Sequence, residues 1–177
     1  TGVKQWTTNG PYADYGLVFA VTDAAAVARR EGGITVFLVP TDAPGFKVDS
    51  VITLHGQIGG NHAILSLDAV EVSDAYVVGE LHGGIRLGLA GIGQGRLYNS
   101  AKAVGLARWA LDQALDYAVE RKTFGETLMN HQGIAFPLAE CATEIHAAHV
   151  LGLDTAARVD AGESVLMEAA MTKVFST

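Results

Sequence analysis

The composition of the chain changes near residue 80, and this change limits what the chain can fold into. Val, Ile and Thr, whose β-branched side chains favour strands, account for 23 of the first 80 residues and 16 of the remaining 97. Alanine, the strongest helix former, rises from 10 to 17 residues between the two parts. The sequence therefore predicts an α+β chain, with a β-barrel or sandwich domain at 1–80 and a helical domain at 81–177.

Four short apolar runs in the first part have the length and the turn-forming flanks of buried strands. They lie at 15–22, 34–39, 48–54 and 63–69. Several short strands with turns between them favour a barrel or a sandwich over a parallel sheet. The stretch 23–33 is rich in alanine and ends in Glu31-Gly32-Gly33, and it is interpreted as a mobile surface loop.

Apolar residues recur every three or four positions through most of the second part, which is the pattern of helices with one apolar face. It predicts helices at about 85–120, 128–159 and 165–175. Pro137 should kink the second helix or lie in its first turns. Long helices of this kind suit an up-down bundle. Three of them predict an incomplete four-helix bundle whose open apolar face favours self-association.

The formal net charge of −7 argues against nucleic acid or an anionic membrane as the main partner. No apolar run reaches the ~18 residues of a membrane span.

The single cysteine, Cys141, excludes an internal disulfide framework and favours a cytoplasmic location. It has no basic neighbour, so it is predicted to be a core thiol. The chain starts without a methionine and ends within a helical pattern, so we expect it to be part of a longer protein.

Glycines crowd the start of the first predicted helix, where each costs about 1 kcal/mol relative to alanine. Gly84, Gly88, Gly91 and Gly95 fall on one face of that helix. They indicate either close helix packing or the wall of a ligand groove. The sequence contains no zinc, di-iron or serine-hydrolase motif, so no metal site is predicted.

Two segments contain residue types that suit a ligand. Trp6-Thr7-Thr8-Asn9-Gly10 offers an indole that can stack on a flat ring and hydroxyls that can donate to it, or it is a capped turn beside a core tryptophan. Glu120-Arg121-Lys122-Thr123-Phe124-Gly125, followed by His131-Gln132, brings two cations and an aromatic ring to a helix junction. That set can clamp a diphosphate, or it forms a salt-bridged turn between helices.

These segments, in this order and at this spacing, resemble the acyl-CoA dehydrogenase flavoproteins over nearly the whole chain. The matching stretches are Trp6-Thr7-Thr8-Asn9-Gly10, Gly33-Ile34-Thr35-Val36-Phe37-Leu38-Val39-Pro40, Pro44-Gly45-Phe46, Arg96, Ala103-Val104-Gly105-Leu106-Ala107, Arg121-Lys122-Thr123-Phe124-Gly125 and His131-Gln132. The resemblance implies a middle β-barrel and a C-terminal four-helix bundle, in an enzyme that is usually a homotetramer. This chain would comprise the later part of the β domain and the first three bundle helices. The family's N-terminal helical domain and its first flavin-contacting strand would lie outside it.

The resemblance also implies which residues bind FAD and substrate. The flavin ring would be flanked by Trp6, Thr7 and Thr8. The diphosphate of a neighbouring subunit's FAD would be met by Arg121, Lys122, Thr123 and Phe124, and its adenine half by His131 and Gln132. The acyl-CoA arm would be contacted by Gly93, Gln94, Gly95 and Arg96.

Two glycines depart from the family pattern. Gly93 replaces an aspartate that holds the CoA arm in many relatives, and Gly95 stands where one subgroup has its catalytic glutamate. In the other relatives that glutamate lies further along the chain than Thr177. Because the reaction needs a carboxylate within about 3 Å of the α-carbon proton, no catalytic residue is assigned and this chain alone is not expected to turn over. The glycines also predict a wide cavity for a branched or bulky acyl group.

The implied function is that of an oxidoreductase of fatty acid metabolism. It would convert an acyl-CoA to a 2,3-enoyl-CoA and pass the electrons to an electron-transfer flavoprotein. Two alternatives stay open: a flavin monooxygenase or oxidase of the same fold, and a flavin-free chain that only assembles with a partner. Rapid reoxidation of the reduced flavin by air would favour the first alternative.

Overall fold

The computed structural model of the chain describes residues 1–56, 59 and 61–177. The chain divides into two compact units, Thr1–Gly88 and Leu89–Thr177, called here the first and second unit. Each is described by itself.

The first unit contains six strands. They are β1 (Gly2–Thr8), β2 (Tyr15–Val21), β3 (Ile34–Pro40), β4 (Phe46–Ile52), β5 (His62–Leu67) and β6 (Val77–Val78). They form two antiparallel three-stranded sheets with the orders β1-β5-β4 and β2-β3-β6. The predicted α+β class, with a β part followed by helices, is confirmed. The described strands form open sheets, so the barrel alternative does not hold for this part of the chain.

The core of the first unit follows from alternation along its strands. In β5, Ala63, Leu65 and Leu67 are buried, while the residues between them are half-buried. Successive side chains of a strand point to opposite faces, so β5 presents one face to the core and one outward. In β3, Val36 and Val39 are buried as well.

The stretch 23–33 is not the loop that the sequence predicts. It contains a short helix, α1 (Ala24–Arg29). The Asp23 carboxylate accepts a hydrogen bond of 2.9 Å from the Ala26 amide, which caps the helix N-terminus. Arg30 ends the helix in the left-handed conformation. The capping aspartate and the alanine run were the local signal for a helix, and they outweigh the two glycines that follow.

The second part of the chain is mainly helical, and the predicted helices are confirmed. They are α2 (Gly84–Glu120), which begins in the first unit, α3 (Gln132–Asp160) and α4 (Leu166–Ser176). A short hairpin of β7 (Lys122–Thr123) and β8 (Glu126–Thr127) joins α2 to α3. Pro137 is the sixth residue of α3, so it lies in the first turns of the helix, one of the two predicted placements.

Polar contacts fasten α4 to α3. The hydroxyls of Thr155 and Thr172, both fully buried, lie 2.9 Å apart. On the surface, Arg158 of α3 pairs with Glu168 of α4 at 3.9 Å, with Glu163 of the connection at 3.6 Å and with Asp154 of its own helix at 3.0 Å. The hydrogen bond and charge of Asp154, followed by Glu163, raise the pKa of the Arg158 guanidinium above its usual value, so Arg158 stays protonated.

The prediction that Cys141 is a core thiol is wrong, because Cys141 is exposed on α3.

Within the described residues, no helix combines the length and hydropathy of a membrane span. The same residues contain no group of three or more histidine, cysteine, aspartate or glutamate side chains placed to hold a metal ion.

Candidate functional site

A β-bulge in β1 determines how Trp6 is presented. Lys4 pairs with Leu65 and Thr7 pairs with Ala63, so two residues of β1 stand opposite one residue of β5. Trp6 is one of the two, and its φ of 61° lies in the left-handed region that tryptophan rarely adopts. A bulge turns a side chain away from the direction that regular pairing would give it. The Trp6 side chain is 57% exposed, so the structure does not support a core tryptophan.

Three side chains meet on the outward face of this sheet, and we call them the Trp6 face: Trp6, Thr8 and His62. Thr8 is the register partner of His62, and side chains of directly paired residues lie on the same face. The rings of Trp6 and His62 meet edge to face, with centroids 6.3 Å apart and planes at 89°. Thr7 pairs with buried Ala63, so its side chain belongs to the opposite face.

One nitrogen of the Trp6 face has no partner. His62 Nδ1 is buried, and it makes no hydrogen bond to the part of the chain that the structure describes. Leaving a buried polar atom unpaired costs about 1–3 kcal/mol, so such atoms are uncommon in finished protein interiors. Sequence analysis did not select His62. Its relation to Trp6 depends on strand register between distant segments, which no local motif encodes.

The second candidate segment folds as the β7–β8 hairpin, and residues 121–127 are called here the cationic hairpin. Phe124 and Gly125 form its two-residue turn, with φ values of 53° and 87°. Positive φ at both positions matches the tight turn that the twist of paired strands favours. The Leu128 amide donates to the Arg121 carbonyl at 2.8 Å and closes the base of the hairpin. Phe124 at the tip is 99% exposed.

The His131 ring contacts two residues of the cationic hairpin, Thr123 and Phe124. Its Nε2 lies 3.2 Å from the Thr123 carbonyl oxygen and 3.3 Å from the Thr123 hydroxyl. Its ring meets Phe124 edge to face at 6.4 Å. Gln132, the first residue of α3, is exposed beside it.

Arg121 and Lys122 are exposed, and neither forms an ion pair with a described carboxylate. The salt-bridged turn, which was the alternative interpretation of this segment, is therefore not what the described residues form. Two cations without acidic partners, next to backbone and hydroxyl donors, are the arrangement that suits a phosphate group.

The predicted substrate segment 93–96 lies on α2. Gln94 is exposed, whereas Arg96 is half-buried and lines a groove of about 510 Å³, here called the Arg96 groove. Its walls are Ile92, Gly95, Arg96 and Asn99 of α2 and Ala170, Lys173 and Val174 of α4. Two cations and an amide among apolar side chains suit a ligand with an acidic or carbonyl group on an apolar body.

The glycines of α2 serve two purposes. A Cβ at Gly84 would lie 2.9 Å from the Ile34 carbonyl oxygen, and one at Gly88 would lie 2.9 Å from the Phe19 ring. These two glycines therefore allow close packing. Added Cβ atoms at Gly91, Gly93 and Gly95 would meet no described atom within 4 Å, which suits a groove wall.

Family models match both parts of the chain. The model of the acyl-CoA dehydrogenase middle domain covers residues 1–70. The model of the acyl-CoA dehydrogenase C-terminal domain covers residues 82–177. The chain belongs to the acyl-CoA dehydrogenase family, as its sequence motifs predict.

Individual relatives agree with this assignment. A cyclohexane-1-carbonyl-CoA dehydrogenase of Geobacter metallireducens is 37% identical over 177 residues, which are 100% of this chain and 46% of that protein. The three-dimensional structure of butyryl-CoA dehydrogenase from Megasphaera elsdenii matches with a TM-score of 0.91 and 31% identity, over 99% of this chain and 45% of that one. A prolyl acyl carrier protein oxidase matches with a TM-score of 0.92 and 28% identity, over 98% and 45%. The chain thus spans about half the length of the relatives it matches.

The residues present fit FAD, the cofactor that the family resemblance implies. The Trp6 face offers an exposed indole and an exposed hydroxyl, and a flat polar ring needs neighbours of this kind. The cationic hairpin offers two cations to a diphosphate. The Trp6 face belongs to the first unit, and the hairpin and the Arg96 groove belong to the second.

Proposed function

We propose that the chain forms part of an FAD-dependent acyl-CoA dehydrogenase, which oxidises an acyl-CoA to a 2,3-enoyl-CoA. The observation that carries the proposal is the Trp6 face, where a β-bulge exposes the indole next to Thr8. An exposed tryptophan in a strained backbone conformation is unfavourable unless a ligand uses it.

FAD would be held by Trp6 and Thr8 at the flavin ring, by Arg121, Lys122, Thr123 and Phe124 at the diphosphate, and by His131 and Gln132 toward the adenine. Bound FAD supplies the two-electron acceptor of the reaction. Thr7 would contribute through its backbone only, since its partner Ala63 is buried. The hairpin cations would serve the FAD of a neighbouring copy, which makes the enzyme a homo-oligomer, with a homotetramer as the form typical of the family.

The substrate would lie along the Arg96 groove, with Gly93, Gln94 and Gly95 beside Arg96. Asn99 and Arg96 would orient polar atoms of the acyl-CoA, and the apolar walls would exclude water from its acyl chain. No carboxylate lines this groove among the described residues, so we assign the base to a part of the protein outside this chain. The open space at the glycines and the relative named for a cyclohexane-1-carbonyl substrate support a branched or bulky acyl group.

An electron-transfer flavoprotein would accept the electrons, and the protein would act in the cytoplasm in lipid metabolism. An oxidase is the second candidate, because one structural relative carries that name. The two functions differ in how the reduced flavin is reoxidised. In the complete protein, fast reoxidation by an electron-transfer flavoprotein and slow reoxidation by air would support the dehydrogenase, and the reverse would support the oxidase.

Titration of the chain with FAD, followed by flavin fluorescence, tests cofactor binding. We expect a dissociation constant in the micromolar range. Lys122→Ala should raise it about tenfold, since a charge-assisted contact to phosphate is lost. Lys102→Ala, which removes an exposed lysine of α2, is the matched control and should leave it unchanged. A chain that binds no FAD would be a fragment whose cofactor site needs segments outside it, and equal effects of the two variants would remove the hairpin from the site.

A further inference from the structure

His62 lies in β5, next to the bulge that contains Trp6 in β1. His62 is the first residue of β5, the central strand of its sheet, and it is the register partner of both Thr8 in β1 and Ile52 in β4. Its ring is the aromatic neighbour of the Trp6 indole, at a centroid distance of 6.3 Å. The backbone of His62 is thus paired with a strand on each side, close to Trp6.

The conformation of Trp6 requires such support. A left-handed φ at a bulky residue is strained, and strain of this kind persists only where the surroundings hold it. The indole is more than half exposed, so few contacts are available to fix its plane. An edge-to-face aromatic contact does this directionally, because the positive edge of one ring prefers the negative face of the other.

The unpaired nitrogen indicates that His62 is not kept for hydrogen bonds to the described residues. A histidine retained for its hydrogen bonds would have a partner on each buried nitrogen, yet Nδ1 has none among the described residues. The aromatic ring, rather than its hydrogen bonds, is what His62 contributes to the described structure.

We infer that His62 is a positioning residue of the flavin site, and that the edge-to-face contact of its ring with Trp6 fixes the indole against which the flavin packs. The inference rests on the proposed function, since it takes the Trp6 face as the flavin site. It adds a residue that neither the sequence motifs nor the family resemblance selects.

The test uses the chain with Trp109→Phe, which leaves Trp6 as the only tryptophan. Near-ultraviolet circular dichroism reports how firmly the indole is held, and flavin fluorescence reports the dissociation constant of FAD. His62→Ala removes the ring, and His62→Phe keeps an aromatic ring but removes both nitrogens. His146→Ala, at an exposed position of α3, is the matched control. Far-ultraviolet circular dichroism checks that each variant is folded.

We expect His62→Ala to lose the Trp6 dichroism signal and to raise the FAD dissociation constant about threefold to tenfold, the range that an aromatic pair supports. His62→Phe should keep the signal and bind FAD within about twofold of the parent, because the ring contact survives. His146→Ala should match the parent in both measurements.

Three results would overturn the inference. If the parent binds FAD and His62→Ala behaves like His146→Ala, the FAD site stands and His62 has no positioning role. If a folded His62→Phe fails as His62→Ala does, the ring contact is not the cause. If the parent binds no FAD, the chain has no flavin site by itself and the role of His62 in it fails.

Discussion

The buried hydroxyl pair of Thr155 and Thr172 shows how much a single residue can contribute to the stability of this molecule. Thr155 donates to the Leu151 carbonyl at 2.8 Å, so its one proton is committed within α3. The 2.9 Å contact with Thr172 must then be donated by Thr172 and accepted by Thr155. The two threonines are therefore unequal although both are fully buried.

Thr155→Val should lower the free energy of unfolding by about 1–3 kcal/mol, because it leaves the buried Thr172 hydroxyl without its acceptor. Thr172→Val should cost less, since Thr155 keeps its bond to Leu151. The double variant should recover part of the loss, because no hydroxyl is then stranded. Urea denaturation of the three variants measures this, and equal costs for the two single variants would contradict the assigned direction of the bond.

At the residue scale, the sequence predicts the chemistry of the candidate site but not its geometry. The Trp6-Thr7-Thr8 motif predicted a ring-binding surface, and the pairing in β1 divides that motif between two faces. The bulge and the role of His62 depend on the register between β1 and β5, which lie far apart in the chain. A residue's own neighbours in sequence hold no information about such pairing.

The three helices of the second part and the strands β2 to β5 were predictable from their apolar patterns, whereas α1 and β1 were not. The three helices of the second part begin and end close to the predicted positions, because many apolar residues share one period. The six-residue α1 was missed, since its signal is one capping aspartate and a few alanines. β1 received no strand prediction, because its bulge interrupts the alternation that defines a strand.

Gly→Ala substitutions in α2 should change the free energy of unfolding in opposite directions, depending on the space around each glycine. Gly105 is exposed in the helix interior, and an added Cβ would meet no described atom within 4 Å. Gly105→Ala should therefore raise the free energy of unfolding by about 1 kcal/mol. Gly84→Ala is the matched variant on the same helix and should lower it, because its Cβ would lie 2.9 Å from the Ile34 carbonyl oxygen.

Thermal denaturation followed by circular dichroism at the helix band measures both changes. A stabilising Gly84→Ala would show that the first turn of α2 is free to move away from β3. A destabilising Gly105→Ala would mean that this face of α2 is covered when the protein is in solution.

At the scale of the whole molecule, many large apolar side chains are exposed. On α4 the exposed apolar side chains are Leu166, Met167, Met171, Val174 and Phe175. Val174 is 78% exposed and Met167 is 67% exposed. A continuous patch of this kind on one helix is typical of an interface.

We expect light scattering at high protein concentration to give a mass well above the 18.5 kDa of one chain. A double variant, Met167→Glu with Val174→Glu, should shift the mass toward that of a monomer, since it places two like charges in the contact. Thr143→Glu, at an exposed position of α3, should not. A clean monomer for the parent chain would contradict self-association.

The two-residue turn at Phe124 and Gly125 has a consequence for the thermodynamics of recognition. A ring carried on a flexible loop must be ordered when its partner arrives, and that loss of conformational entropy weakens binding. The tight hairpin, closed by Arg121 and supported by His131, orders the backbone beneath Phe124 during folding. If the proposed site binds a partner at this tip, the turn pre-organises that association, and a change that loosens the turn would weaken binding even if every contact in the complex were kept.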